Sequence, residues 1–262
     1  MIDTILNNFI PNFSLSILML IAITFFLAGI VKGFLGMGLP ATAIAILTLV
    51  IDPKEAIALL VLPIIATNAV QFMHGPEIKS TVRNFKYIAI ANVITIFIVS
   101  SSINSFPEYF VTTAIGCSMV VFSVNTLVGF RLPMGPGVMW QLLVGMVAGF
   151  LGGISSIWSP PIVMYLISRK VPKEQFIGAI GFIFLVTSFP LAIGYALAGI
   201  LTFEILTKSL IGLLVSLAGF RVGELFRRKV AQDTFRKFLV WALLALGARL
   251  IATGIFYYLV IF

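Results

Sequence analysis

Apolar residues run along this chain in long unbroken stretches, joined by short pieces that carry the charges and many of the glycines and prolines. Cutting at those joints gives about ten apolar segments, roughly 14–31, 39–51, 56–73, 87–103, 109–130, 137–151, 155–168, 176–200, 205–220 and 238–262. A helix needs about 20 residues, at 1.5 Å rise each, to cross a bilayer. Most segments reach or approach that length. Segments 39–51, 137–151 and 155–168 do not, and each lies beside a glycine cluster. Such short, glycine-flanked pieces predict helical hairpins or broken helices. No segment shows the two-residue alternation of a transmembrane β-barrel strand. The predicted fold is therefore an all-α polytopic integral membrane protein.

Composition strengthens this reading. Of 262 residues, 60% are hydrophobic and 10% charged, against about 45–50% and about 25% in soluble domains. Too few polar side chains exist to cover a water-exposed surface. The lone cysteine, Cys117, excludes an intrachain disulfide, and the lone histidine, His74, excludes a conventional zinc cluster. There is no Walker loop of the GxxxxGK[ST] form. The sequence thus calls for no cofactor and no metal.

The charge balance, 17 Lys and Arg against 9 Asp and Glu, is +8. Its distribution is informative about topology. If each short pair crosses twice, or enters and returns, all basic residues except Lys54, Lys208 and Arg249 collect on one side. By the positive-inside rule that side is the cytoplasm, and both termini are predicted to be non-cytoplasmic. Counting each short pair as a single broken crossing gives a much weaker bias. No basic residue precedes Lys32, so the first apolar run reads as a retained span and not as a cleaved signal. The basic residues are scattered between spans with no continuous face, which excludes nucleic acid as a partner. The expected partners are a small anionic substrate and the lipid bilayer. A homo-oligomer is left open.

An internal repeat organises the chain. Gly33-Phe34-Leu35-Gly36-Met37-Gly38 recurs as Gly149-Phe150-Leu151-Gly152-Gly153, and Pro53-Lys54-Glu55 recurs as Pro172-Lys173-Glu174. The predicted arrangement is two inverted repeats, 1–131 and 132–262, each with a glycine-broken short helix pair plus three longer transmembrane helices. Together they form a single transport unit. Inverted repeats are a recurrent way to build secondary transporters, with the substrate near mid-membrane where broken helices meet.

The glycine-containing motif 33–38 followed by Pro40, and its counterpart 149–153 followed by Pro160, in an apolar chain of this length, resemble the TauE/SafE family of anion exporters. The resemblance covers nearly the whole chain and includes the turn at 53–58. It implies a transporter that exports sulfite, sulfoacetate or related organosulfonates. Leu39 and Ile154 stand where further glycines are common in the family, which touches the shape of the anion pocket more than the fold.

A broken helix exposes N–H groups and the positive end of its dipole to an anion, and proline in the first turn forfeits no hydrogen bond. The candidate substrate-binding residues are accordingly Gly36, Met37, Gly38 and Pro40 in the first break, with Gly152, Gly153, Ser155, Ser156, Ser159 and Pro160 in the second. Asn68 and Thr187, placed alike in the two repeats at an offset of 119, join them. Arg249 lies within a span and Lys32 abuts the first break, so both are candidate anion-pathway cations. His74 is a candidate proton-coupling residue. No carboxylate sits at the centre of a span. An inside-negative potential drives anions outward without a coupling acid, which favours export over uptake of the same anions. A rival reading is an intramembrane serine hydrolase with Ser155 as nucleophile and His74 as base.

Overall fold

Runs of Leu, Ile, Val, Phe and Ala satisfy the bilayer only as helices, because every backbone N–H and C=O must find a partner within the segment. The computed structural model describes residues 15–73, 78–129, 134–227 and 232–261, with the side chains of 78, 79, 173, 174, 232–236, 238 and 261 left out. Among the described residues there are helices and one 3-10 turn but no strand. In chain order the helices are α1 (Leu15–Leu35), α2 (Leu39–Leu47), α3 (Pro53–Leu59), α4 (Val61–Met73), α5 (Ile78–Ser101), α6 (Glu108–Val128), α7 (Val138–Ser155), α8 (Ser159–Ser168), α9 (Lys173–Leu197), α10 (Phe203–Arg227) and α11 (Gln232–Ile261). Among the described residues, 8 helical stretches are long and apolar enough to cross a membrane, counting α3 and α4 together as Pro53–Met73. The two remaining helices, α2 and α8, have 9 and 10 residues.

The two halves share one order of events: a long helix, a short one, then three crossings. Equivalent contacts recur as well. The first helix of each half packs along the fourth element of the other, α1 along α10 and α7 along α5. Glycine makes both contacts close. A Cβ on Gly29 or Gly33 would overlap the carbonyls of Ser216 and Phe220, and one on Gly145 or Gly149 would press on Ile88, Asn92 and Thr95. These glycine pairs stand at the same offset of 116 that relates the sequence motifs. The glycine run at 149–153 is therefore a packing surface within an unbroken α7, not the break itself.

Helix directions follow from the same contacts. Phe72 lies by Gly181 while Asn68 bonds Ser188, so α4 and α9 run antiparallel. Gly254 lies by Tyr109 and Gly247 by Gly116, so α6 and α11 also run antiparallel. Each of these pairs joins helices that hold the same place in their two halves.

Polar side chains mend the interruptions. Asp52 caps α3, accepting from Lys54 N at 2.7 Å and Glu55 N at 3.4 Å. Where α3 gives way to α4, Ser209 on α10 donates to the Leu59 carbonyl at 2.8 Å and accepts from Leu62 N at 3.3 Å. Two backbone groups freed by the interruption are thereby satisfied inside the membrane. Beside it, Lys208 bridges Glu55 at 3.2 Å and Glu204 at 2.7 Å. Large apolar side chains such as Ile90, Ile94, Leu214 and Trp241 face outward. That surface suits acyl chains and not water.

Candidate functional site

The first break spans Gly36-Met37-Gly38, and both glycines take left-handed backbone angles, φ 79° and 97°. A side chain is strained in that region, which explains glycine on either side of Met37. Helix α2 then starts at Leu39 and runs back toward the face from which α1 entered. The second break is one of polar and bulky residues: Ser156, at φ 55°, closes α7, and Ile157 and Trp158 lead into α8. Neither α2 nor α8 has a side chain capping its N-terminus, and both carry proline in the first turn. No side chain caps the few first-turn amides that remain beside Pro40 in α2 and Pro160–Pro161 in α8, since proline has no N–H of its own.

These two starts meet. A small cavity of about 10 Å³ lies between them, lined by Lys32, Met37, Gly38, Pro40, Asn68, Ser156 and Ser159, with Ile64, Trp158 and Phe184 as its apolar wall. Its free volume is one water's worth, so the site is closed around its centre. Lys32 is 2% exposed, and its ammonium donates to the Asn68 amide oxygen. The other end of that amide donates to Ser188 Oγ at 3.1 Å. Ser156 Oγ and Tyr195 Oη lie 3.2 Å apart, and the tyrosine donates to the Gly153 carbonyl at 3.1 Å. Among the described residues no carboxylate lines the cavity. The partner of the Lys32 side chain is thus a neutral amide and not an acid.

Of the residues singled out from sequence, seven meet here: Lys32, Met37, Gly38, Pro40, Asn68, Ser156 and Ser159. Lys32 belongs to α1, which continues four residues past the apolar run, and not to a cytoplasmic loop. Gly36 lines a neighbouring cavity instead. Gly152 packs on Trp158 and Gly153 on Val99. Ser155 donates to the Leu151 carbonyl at 2.7 Å and lies 3.2 Å from Ser118 Oγ. Pro160 is buried in the first turn of α8. Thr187 turns its hydroxyl onto Ile183 O at 2.8 Å, so the residue that meets Asn68 is its neighbour Ser188. His74 lies outside the described residues.

Arg249 lies elsewhere. It is exposed and lines a cleft of about 310 Å³ with Thr48, Asp52, Glu108, Thr112 and Tyr257, at the face where α6 begins. On the opposite face a cavity of about 300 Å³ opens where α6, α8 and α10 end, and Met37 separates it from the central cavity. The apolar partners Ile64, Trp158 and Phe184 carry no signal in the sequence that marks them as site walls. Ser188 does, as a polar residue beside Thr187 in an apolar run.

A family model described as sulfite exporter TauE/SafE matches residues 21–250. The chain belongs to the TauE/SafE family. Comparison with curated proteins and with solved structures found no match. As a TauE/SafE member with 8 candidate spans among its described residues, the chain is a multi-pass membrane transporter. The matched region takes in both breaks and every residue lining the central cavity.

Proposed function

We propose that this TauE/SafE member carries small oxyanions of the sulfite and organosulfonate class out of the cell through the central cavity. The observation that carries the reading is Lys32: a buried amine with an amide for partner, set where two uncapped helix starts converge and no acid lines the cavity among the described residues. Three sources of positive potential aimed at one point suit an oxyanion and repel cations. The family description points to the same substrate class.

Alternating access of two inverted halves, 1–131 and 132–262, supplies the motion. The shared element order and the antiparallel pairs α4/α9 and α6/α11 support it. Met37 and the cavity beyond it would form the entry, and the cleft at Arg249 the exit. The basic residues Arg83, Lys86, Arg169, Lys170 and Arg227 favour the entry face as cytoplasmic, in the inner membrane with both termini outside. An inside-negative potential contributes about 2.3 kcal/mol per charge per 100 mV toward export.

The serine hydrolase reading gains less support. Ser155 commits its proton to the Leu151 carbonyl, and its oxygen also lies by Ser118 Oγ and accepts from Ile157 N. Reconstitution decides the matter. Liposomes loaded with sulfite should release it faster under an inside-negative potential with the wild-type protein than with Lys32→Met. Equal release from both would refute the central role given to Lys32.

A further inference from the structure

The cavity on the far side of Met37 has chemistry of its own. Its volume of about 300 Å³ would hold a hydrated oxyanion. Gln71 lines it from α4, and the side chain is 4% exposed. Neither its Nε2 nor its Oε1 has a hydrogen-bond partner among the described residues. Asn125 Oδ1, on α6, is likewise buried, unpartnered among the described residues and in the lining of the same cavity. A buried amide without partners is costly, and the two residues that carry these groups line the cavity. The last residue of α10, Arg227, reaches the same lining, and among the described residues no acidic one belongs to it. The site lies one turn beyond Asn68 on α4, with Met37 between it and the Lys32 cavity.

From this we infer a second anion site, a capture site in which an oxyanion is held before Met37 moves aside. Gln71 Nε2 and the Arg227 guanidinium donate to its oxygens. Gln71 Oε1 and Asn125 Oδ1 accept from a proton that the ligand brings. The class is therefore a small oxyanion bearing a hydroxyl, of which hydrogen sulfite is the simplest sulfur case, or an oxyanion with one tightly held water. Chloride has no proton to give and does not fit. Apolar Phe34, Phe122 and Val163 complete the wall and limit the ligand's size. The inference rests on the transport reading for its purpose, but not for its existence as a binding site.

Calorimetric titration with sulfite separates the two. In purified Lys32→Met protein, sulfite should still bind, with chloride at equal ionic strength giving no heat. Adding Gln71→Leu or Arg227→Gln to that background should weaken binding about tenfold or more, as expected for loss of one bond to a charged ligand. Gln71→Glu, equal in size but of opposing charge, should do the same, while an unchanged melting temperature shows that folding is intact. In liposomes, Gln71→Leu should raise the half-saturating sulfite concentration about tenfold with maximal flux kept within about twofold. No binding to Lys32→Met, or undiminished binding after Gln71→Leu, overturns the capture site and leaves transport standing. Absence of sulfite flux from the wild type overturns the transport reading instead, and the titration still decides whether the site exists.

Discussion

Asn68 on α4 and Ser188 on α9 are 120 residues apart and join hands across 3.1 Å, each contributed by the third element of its half. The same asparagine holds the ammonium of Lys32. One amide therefore ties together the first break, the contact between the two halves and the only cation lining the central cavity among the described residues.

Replacing that amide by an acid should silence the site without harming the fold. In Asn68→Asp the carboxylate meets Lys32 directly and occupies the charge intended for substrate. The protein should melt at an equal or higher temperature, lose its stabilisation by sulfite, and transport at least about tenfold more slowly. A thermal-shift series with and without sulfite checks both effects.

The glycine contacts should fail together. Gly33→Ala places a methyl against the Phe220 carbonyl, and Gly223→Ala places one against the Ile30 carbonyl. Forced overpacking of this kind costs about 1–3 kcal/mol. Gly137, whose added Cβ would meet nothing within 4 Å, serves as the control. Melting temperatures in detergent should fall for the first two and stay constant for Gly137→Ala.

Lys208 clamps the start of α3 onto α10 through two carboxylates. Its side chain is 10% exposed, but Glu55 and Glu204 are 33% and 44% exposed, so solvent screens part of the attraction. Lys208→Met should cost about 1–2 kcal/mol, less than removal of a fully buried partner. Ser209→Ala should add to the loss, because Leu59 O and Leu62 N would lose their partner. Chemical unfolding of the single and double variants gives the comparison.

Cross-linking should arrest the cycle. Ser118 Oγ and Ser155 Oγ are 3.2 Å apart across the contact between α6 and α7. In a Cys117→Ala background, since Cys117 is itself exposed, the pair Ser118→Cys and Ser155→Cys should oxidise to a disulfide. Sulfite flux should fall with oxidation and return on reduction. Flux that survives full oxidation would show that α6 and α7 do not part during transport.

Arg249 gives a contrasting test. It lines the cleft beside Asp52 and Glu108 and lies away from the Lys32 cavity. Arg249→Gln should leave sulfite binding at equilibrium within about twofold while slowing release several-fold, in contrast to Lys32→Met, which should weaken binding by about tenfold or more.

The number and order of helices were legible because an apolar run of crossing length has one physical outcome in a bilayer. The breaks were less so. Glycine serves a bend and a close helix contact equally well, and 149–153 turned out to be the second of these. Lys32 ends an apolar run and so reads as a loop residue, although α1 carries it on to Leu35. Arg249 lies mid-way along a run and along the candidate span Leu239–Val260, yet it is exposed in a cleft and does not line the central cavity, which position along a run does not reveal. The offset from Asn68 to its partner is 120 and not the 119 of the Pro-Lys-Glu motif, and the interruption at Leu60 falls between them. A one-residue shift of this kind leaves no mark in composition or spacing.

The position of Lys32 on the first described helix has a consequence for biogenesis. α1 is made before α4 supplies Asn68 and long before α10 supplies the surface for Gly29 and Gly33. A lysine at the centre of a lone helix costs about 2.5–3.5 kcal/mol on insertion scales, and Lys32, in the last turn of α1, carries a smaller cost of the same kind. The high mean hydropathy of α1, 2.4, offsets that burden while its partners are still being synthesised. The greasiness of α1 is thus a property of the nascent chain as much as of the finished transporter, and diluting it should impair insertion before it impairs transport.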